Sequence, residues 1–450
     1  MTRLGAGSFA NWAGTPGLLE AGPLEERQLT HSAKNHDMDN NDNFSPDGRL
    51  LCYDTREMLG AGIGNGTTIE VLDLETGEEI VVYTPEHFVT GERPAPGVGA
   101  CSFAGDSNRI VFIHGPLLAE VPERGPYAIP NRNGMEVLAD GARAFHWMDH
   151  RDAATDRDTL PGAHRGGTHR HEYTVDGKRV GFTYNDFLLT QYDRTVGYME
   201  AHAKAPGGAS HYFVILVPVA LIGASKPGEI EKAAGDSWVG RHGAMRAFIG
   251  KVRNDDGETY EESLFVVDVP LDTDITTADS GSATRFPTPP KGTAIRRLTH
   301  TWAGGIVRGT LEGDRIAYLG HAEDGSTQIF VIASDGSDRA EDPAKRPRQV
   351  TSIPQGVDNS IRWHPSGNTI FCVADNAIVA TCVEDGPNFG KSVFLTPRGD
   401  APARLKMALS PDATRIVYNR PIPSYDAEGS RVILHDGTDP LQIYMVSLEG

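Results

Sequence analysis

Two histidines separated by one residue, His169 and His171, are the side chains of this sequence best placed for metal chemistry. On a β-strand, residues i and i+2 face the same side, so both imidazoles can reach one ion while Arg170 points the other way. His211 and His242 extend the candidate set to four imidazoles. A mainly imidazole site suits zinc, manganese or iron better than calcium or magnesium, which favour oxygen ligands. In the alternative interpretation these histidines only donate hydrogen bonds to neighbouring loops.

Arginine side chains provide a second kind of candidate site, one for a bound anion. Arg165 precedes Gly166 and Gly167, so its guanidinium can approach an anion beside exposed backbone amides. Arg165 and Arg241 are the candidates for contacting a substrate carboxylate during a reaction. For each arginine, the alternative interpretation is a salt bridge with a surface carboxylate. For a tryptophan such as Trp238, the alternative is packing in the core. Further candidates for contacting a ligand are Arg56, Trp238, Asp358, Asn359 and Arg404.

Two familiar kinds of site are not indicated. The glycine-rich segment 60–66 carries no Lys-Ser/Thr and opens no helix, so it is not a nucleotide P-loop. No Gly-x-Ser-x-Gly motif marks a nucleophilic serine. Ser210 and His211 are adjacent, and adjacent residues of a strand face opposite sides, so they are not expected to form a dyad.

A repeated phrase determines where the candidate residues lie in the fold. Each copy has an aromatic residue or Leu, a small polar residue, a Pro/Asp/Gly turn, and then a basic residue before a β-branched run. The pattern predicts a hairpin, in which an inner strand ends, a tight turn reverses the chain and an apolar second strand follows. The copies are 43–54, 102–112, 172–182, 309–318, 362–371 and 408–418.

Additional short runs complete units of four strands. A third run such as 68–74 and a short fourth run such as 296–299 follow several hairpins. Four-stranded units at spacings of about 40 to 60 residues indicate an all-β fold, the β-propeller. We count seven blades, with six as the alternative count. The blades are expected to begin near Asn43, Gly97, His169, Trp238, Trp302, Asp358 and Arg404.

The ends of the chain and the fourth blade need separate treatment. The fourth blade lacks the turn phrase and is inferred from the apolar runs 247–252 and 263–268. The segment 26–30 matches a fourth strand but precedes the first blade, so we expect it to complete the last blade and close the ring. Residues 1–24 then form an N-terminal extension and 25–450 the propeller. The best candidate for a short helix is 229–235.

The composition excludes several classes of function. The 450 residues include 51 Gly and 29 Pro, spread between short apolar runs as in a turn-rich β protein. The net charge of -19 argues against nucleic acid or an anionic membrane as partner, and no apolar stretch is long enough to span a bilayer. The N-terminus lacks the apolar region of a signal peptide. The cysteines, which show no Cys-x-x-Cys spacing and favour a reducing cytoplasm, are Cys52, Cys101, Cys372 and Cys382.

Several longer strings resemble one family. They are FIHGP at 112–116, RGGTHRH at 165–171, FTYND at 182–186, GASH at 208–211 and WVGRH at 238–242. With the repeat phrase, they resemble the YidR-like branch of the TolB-type propellers, from about residue 28 to the C-terminus. The resemblance implies the propeller fold, but the activity of that family is essentially uncharacterised.

A more distant resemblance is to the oligogalacturonate lyases, propellers that hold a divalent metal with central histidines and a glutamine. His169 and His171 match the His-x-His pair of that group. Gly166 stands three residues before His169, where a glutamine would be expected, so the full ligand set is not carried over.

Two functions of different class remain open. In the first, the four histidines bind a divalent metal (Mn, Zn or Fe), Arg165 or Arg241 neutralises a uronate carboxylate, and an unidentified base starts a β-elimination that cleaves an oligosaccharide. In the second, the propeller is a non-catalytic scaffold or sensor that binds a protein partner or a small anion at the channel mouth. The number of imidazoles expected at the starts of inner strands favours the lyase.

Overall fold

The turn phrases divide the chain into short strands, which form seven antiparallel blade sheets and one separate two-stranded hairpin. Each sheet packs against the next, and the last packs against the first through a cluster that includes Leu51, Val417 and Ile443. The architecture is therefore the seven-bladed β-propeller that the sequence predicts, and not the six-bladed alternative. The structure is a computed structural model, and it describes residues 23–39, 42–59, 61–140, 145–358, 360–399 and 402–448.

The first three blades follow a short N-terminal strand. In chain order the strands are β1 (Glu26–Gln28); β2 (Leu50–Asp54), β3 (Ile69–Asp73) and β4 (Glu79–Tyr83) in blade one; β5 (Val98–Phe103), β6 (Arg109–His114), β7 (Asn133–Leu138) and β8 (Phe145–Trp147) in blade two; and β9 (Gly167–Tyr173), β10 (Arg179–Asn185), β11 (Thr195–Ala201) and β12 (His211–Ile215) in blade three. The described α-helical structure is one turn, α1 (Val121–Arg124), between β6 and β7.

The remaining strands form blades four to seven, and an added hairpin interrupts the last blade. They are β13 (Ile230–Val239), β14 (Met245–Arg253), β15 (Tyr260–Asp268) and β16 (Ala294–Arg297); β17 (Ala303–Gly309), β18 (Arg315–His321), β19 (Thr327–Ala333) and β20 (Arg348–Gln349); β21 (Arg362–Trp363), β22 (Thr369–Ala374), β23 (Ala377–Cys382) and β24 (Ser392–Phe394); and β25 (Leu405–Leu409), β26 (Arg415–Pro421), the hairpin β27 (Ser424–Tyr425) and β28 (Arg431–Val432), and β29 (Leu441–Ser447).

Blade one differs from the others at its inner edge. It has three strands, whereas each of the other six blades has four. Its innermost segment pairs only through isolated bridges, one between Asp37 and Asp54 and one between Phe44 and Leu51. Residues 40 and 41 of this segment lie outside the described residues.

The segment 229–235, which the sequence suggested as a short helix, belongs to a strand. β13 begins at Ile230 and pairs with β14, placing Ile230 opposite Val252 and Ala233 opposite Gly250. So short a helix gains too few hydrogen bonds to offset the cost of nucleation, whereas the strand buries Ile230 and Ala233 in the core beside β14. The helix prediction was wrong because tertiary pairing overrides the local propensity of Glu, Lys and Ala.

The N-terminal strand closes the ring, as the sequence predicts. β1 pairs antiparallel with β29 as the outermost strand of blade seven. Within it, Glu26 accepts hydrogen bonds from Nε and Nη2 of Arg404, both at 2.7 Å, and from the Tyr418 hydroxyl. An ion pair therefore connects the outermost strand of this blade to the residue that precedes its innermost strand.

Aromatic and aliphatic side chains fill the space between neighbouring blades. Between blades three and four, Phe248 stacks on Phe265 with ring centroids 5.4 Å apart, and Tyr198 meets Trp238 edge-on at 6.2 Å. Burial of such apolar surface stabilises the ring by about 25 cal/mol per Å². All four cysteines are free thiols buried in these sheets. Among the described residues, no helix has the length and apolar composition needed to cross a membrane.

A β-bulge recurs in the inner strands of the propeller. In blades two, three, four, five and seven, the pairing of the first strand with the second shifts register. One residue beside each shift has a positive φ, and the same conformation occurs just before the inner strand of blade six. These residues are Ala100 (φ 54°), Arg170 (53°), Gly235 (66°), Gly305 (77°), Ser360 (80°) and Lys406 (53°).

The bulge changes which side chains face the inside of the ring. Because alternation along a strand has a period of two, one extra residue moves the following side chains to the other face. The register shift in β9 lies between His169 and Glu172, so it separates His169 from His171. Arg170, which was predicted to point away, lines the central channel instead. The prediction from strand alternation was wrong here because the alternation itself is interrupted.

We expect that Glu26→Gln lowers the free energy of unfolding by about 2 kcal/mol, since it weakens charge-assisted hydrogen bonds that close the ring. Although burial opposes it, the hydrogen bond from Arg404 helps to hold the pKa of Glu26 below its usual value. A lowered carboxyl pKa stabilises the fold above the unfolded-state pKa, so the difference between variant and wild type should shrink below about pH 4. Urea denaturation at several pH values measures both effects. Glu25→Gln, an exposed neighbour on the same segment, is the control, and equal loss in both variants would contradict the role of Glu26.

We expect that Arg170→Gly raises the free energy of unfolding by about 1 kcal/mol, because glycine adopts a positive φ without steric cost. Arg170→Ala removes the same charge but keeps the Cβ, so it separates backbone strain from electrostatics. Denaturation curves of both variants give the comparison. If Arg170→Gly is no more stable than Arg170→Ala, the bulge is not strained at this residue.

Candidate functional site: the central channel

Two cavities lie along the axis of the ring. The hairpin cavity, with a volume of about 340 Å³, is lined by residues of all seven blades near the turns that end the inner strands. The wide cavity, with a volume of about 570 Å³, lies towards the beginning of the inner strands. Arg308 and Arg362 line both cavities, so these two side chains form the wall between them.

The wide cavity is basic, although the protein as a whole is acidic. Its lining contains two carboxylates, Asp39 and Asp358, and more than twice as many cationic side chains. The bulges contribute directly to this charge, because Arg170 and Lys406, two of the residues with a positive φ, are cations. The cationic residues of the lining are Arg170, Arg308, Arg362, Arg404 and Lys406.

Some of these cations have carboxylate partners and others do not. Lys406 Nζ lies 2.6 Å from both carboxylate oxygens of Asp37, and Arg404 pairs with Glu26. Arg170 makes no hydrogen bond or ion pair with any residue that the structure describes, and Arg362 donates only to the carbonyl of its neighbour Ile361, at 2.8 Å. Arg170 and Arg362 are therefore cations of the channel that no described carboxylate contacts by a hydrogen bond or an ion pair.

The two arginines of the wall are held close to other cations. Burial and the nearby charge of Arg362 keep the pKa of Arg308 well below its usual value. Burial lowers the pKa of Arg362 to about 10, and Arg170 acts in the same direction. An anion placed between the two guanidinium groups would be stabilised by direct attraction and by relief of their mutual repulsion.

Two carboxylates, Asp42 and Glu172, face the same wall from the hairpin cavity. Glu172 accepts hydrogen bonds from Ser237 Oγ at 2.7 Å and from Arg246 Nη1 at 3.0 Å. Asp42 is accessible to solvent although blades surround it, because it faces the channel. The surrounding blades limit the hydration of Asp42 even though it is accessible from the channel, and this enclosure, together with the charge of Glu172, raises the pKa of Asp42 to about 7. The site thus combines cationic side chains with a carboxyl group whose pKa is raised towards neutral pH.

The hydrogen bonds of His169 leave no nitrogen free for a metal. Its Nδ1 lies 3.1 Å from Nη1 of Arg132 and its Nε2 lies 3.2 Å from Oδ1 of Asn185. Because an arginine can only donate, Nδ1 must accept and Nε2 must carry the proton. Burial also lowers the pKa of His169 well below its usual value, so the ring is neutral.

The other three histidines lie in different places and do not converge on His169. His171 Nε2 lies 3.0 Å from Thr168 Oγ1, in the space between blades. His211 begins the outermost strand of its blade rather than an inner strand, and its Nδ1 lies 2.7 Å from Ser210 Oγ. His242 is exposed on the turn after β13, where it contacts Asp176 of the neighbouring blade.

No metal site is assembled by these histidines. Across the described ranges, no three His, Cys, Asp or Glu side chains lie in an arrangement that could hold a metal ion. The residues present therefore do not fit the four-imidazole centre that the sequence suggested, and the physical reasons are the bulge in β9 and the hydrogen bonds of each ring.

Two of the predicted arginines are structural. Arg56 is completely buried, and its Nη2 lies 2.5 Å from Asp54 Oδ2. Arg165 is also completely buried; its Nη2 lies 2.5 Å from Asp186, and its Nη1 donates to the carbonyl of Ser280 at 2.6 Å. Arg165 thus connects blade three to the loop between β15 and β16, and neither guanidinium is accessible to a ligand.

The remaining predicted residues border the channel, with one exception. Asp358 and Arg404 line the wide cavity, while Trp238 and Arg241 line the hairpin cavity. Trp238 serves mainly as core, since its Nε1 donates to the backbone carbonyl of Glu172 at 3.0 Å. Asn359 lies outside the described residues.

Sequence reasoning missed three channel residues that share one position of the repeat. Glu172, Arg308 and Arg362 pair with Gly181, Ala317 and Phe371 in the same register. The corresponding residues of other blades are small, as in Ser102 and Ala408. The signal available in the sequence was a charged residue at a repeat position that a small residue occupies in other blades. Asp42, which lies in the least regular inner segment, had no such signal.

Comparison with known proteins places the chain among uncharacterised relatives. A family model described as a protein of unknown function (DUF3748) matches residues 97–205. Among solved structures, an oligogalacturonate lyase in complex with manganese has a TM-score of 0.50 at 10% identity, covering 95% of this chain and 96% of that chain. A putative TolB from Agrobacterium tumefaciens has a TM-score of 0.38 at 11% identity, covering 85% of this chain and 98% of that chain. At such low identity, the likeness to the lyase concerns the fold alone.

A curated protein matches over a much greater extent in sequence. The uncharacterized protein YidR of Escherichia coli (strain K12) is 30% identical over 423 residues, which cover 87% of this chain and 94% of that protein. The match extends over most of the propeller, as the motifs in the sequence had implied. The chain therefore belongs to the YidR family of β-propeller proteins.

Proposed function

We propose that the protein binds a carboxylated sugar in its central channel. This proposal rests on the arginines that line the wide cavity. Two of them, Arg170 and Arg362, make no hydrogen bond or ion pair with a carboxylate among the described residues. Guanidinium groups bind carboxylates through paired, charge-assisted hydrogen bonds. Trp363, which is half-buried at the hairpin cavity, supplies an apolar face for a sugar ring.

We expect Arg362→Gln to weaken the binding of trigalacturonate by about tenfold to a hundredfold, since a charge-assisted hydrogen bond contributes about 1.5–3 kcal/mol. Isothermal titration calorimetry of the wild-type protein and the variant measures this loss. Arg27→Gln, on the exposed face of the outermost strand, is the matched control and should bind like wild type.

A neutral galactose oligomer serves as the ligand control for this experiment and should not bind. The proposal fails if wild-type protein has no affinity for trigalacturonate, or if Arg362→Gln and wild type bind it equally.

A lyase reaction on the bound sugar is the second candidate function. The specific observation in its favour is that Asp42 and Glu172 place carboxylates beside Arg308 and Arg362. β-Elimination needs a cation at the uronate carboxylate, to lower the pKa of the C5 proton, and a base that removes this proton. The sequence assigned the first task to a divalent metal together with Arg165 or Arg241. Because the predicted histidines do not assemble, we assign it to the arginines of the wall.

We expect wild-type protein to release unsaturated products from oligogalacturonate, detected by ultraviolet absorbance, at a rate that EDTA does not change. The reason is that guanidinium groups replace a metal as the electrophile. Loss of activity in EDTA with recovery on adding manganese would instead restore the metal-dependent form of the hypothesis.

Binding without turnover supports the non-catalytic alternative, in which the channel mouth receives a small anion or an acidic segment of a protein partner. The free, buried cysteines are compatible with the proposal that the protein works in a reducing compartment such as the cytoplasm.

A further inference from the structure

Asp42 and Glu172 face the same arginines but differ in their hydrogen bonds. Glu172 accepts from Ser237 and from Arg246, and Arg246 also pairs with Asp236 at 2.5 Å. Among the described residues, the Asp42 carboxylate has no hydrogen-bond or ion-pair partner, while its backbone carbonyl accepts from the Phe103 amide at 2.7 Å.

The charged groups around Asp42 come from several blades. Glu172 on β9 repels its negative charge, whereas Arg308 on β17 and Arg362 on β21 attract it. Arg241 lines the outer part of the same cavity. Burial and the charge of Glu172 outweigh the two arginines, so protonation of Asp42 is favoured up to about pH 7.

We infer that Asp42, which shares the hairpin cavity with Glu172, Arg308 and Arg362, is the proton-exchanging carboxyl group of the channel. A ligand anion that binds at Arg308 and Arg362 adds negative charge beside Asp42 and competes for the cations that stabilise its carboxylate. Occupation of the wall by an anion therefore favours uptake of a proton by Asp42. Proton binding and anion binding are coupled in this arrangement.

The same group serves the elimination reaction, and this part of the inference rests on the proposed function. In the fraction of sugar-bound protein in which Asp42 is ionised, its carboxylate would take the C5 proton, and the C5–H electron pair would become the C4–C5 double bond. The C4–O bond breaks, and the departing oxygen takes a proton from the protonated Asp42 or from water. No oxidant, reductant or further reactant is required.

The titration of Asp42 is tested first without any ligand. A carboxyl group whose pKa is raised by folding makes the folded state bind more protons than the unfolded state, so stability falls as pH rises from the unfolded-state pKa towards the folded-state pKa. We expect Asp42→Asn and wild type to melt at similar temperatures near about pH 4, and Asp42→Asn to melt at a higher temperature near about pH 8. Asp255→Asn, which alters an exposed turn of blade four, should show no such pH-dependent difference.

Two further measurements guard against a variant that folds poorly. Infrared difference spectra of the wild-type protein should show a protonated carboxyl band that disappears around neutral pH. Glu172→Gln should move that transition to lower pH, since it removes the neighbouring negative charge. A melting difference between Asp42→Asn and wild type that does not vary with pH, or an infrared band that Asp42→Asn retains, would overturn the inference.

The coupling to ligand is tested with trigalacturonate. Calorimetric titrations in two buffers of different ionisation enthalpy should reveal uptake of a fraction of a proton per ligand bound by wild type, and none by Asp42→Asn. Equal uptake in both proteins would overturn the coupling. If trigalacturonate does not bind, the proposed ligand is wrong, whereas the titration of Asp42 in the free protein still decides whether this group exchanges protons.

Discussion

The antiparallel pairing of β1 with β29 is the interaction on which the rest of the structure depends. Each blade buries its faces against two neighbours, so an open ring would expose one face at each end. β1 also covers the outer edge of the last sheet, and an exposed edge of this kind is prone to pair with other chains. The ion pair of Glu26 with Arg404 joins this strand to the start of the inner strand of blade seven, where Arg404 lines the wide cavity. The channel has a defined cross-section only because the ring is closed in this way.

Closure also explains how an acidic protein has a basic interior site. The net charge of -19 is a property of the whole chain, but the channel collects one position from each of several inner strands. Three inner strands place Arg170, Arg308 and Arg362 near the axis, where low dielectric and mutual proximity strengthen every charge. The acidic exterior then works against the entry of anions at long range, while the arginines favour them at short range.

The architecture was predictable from sequence because its signals are local and repeated. The turn phrases marked most of the hairpins, the run 26–30 marked the closing strand, and even the fourth blade was recovered from apolar runs alone. The site was less predictable because it depends on departures from the repeat. Alternation along β9 placed His169 and His171 on one face, and a single bulge, which no residue type announces at Arg170, separated them. Arg56 and Arg165 have the residue type of an anion site, but their partners Asp54 and Asp186 are recognisable only once the strands are placed in space.

Several side chains that line the channel come from one equivalent position of the repeat. Glu172, Arg308, Arg362, Ser102 and Ala408 occupy the same register position in different blades, and the backbone around each is held by the same ladder of hydrogen bonds. Replacement of one of these side chains leaves its neighbours in the other blades in position. Substitutions at this position can therefore change the lining of the channel one blade at a time, while the strand pairing that maintains the propeller is unchanged.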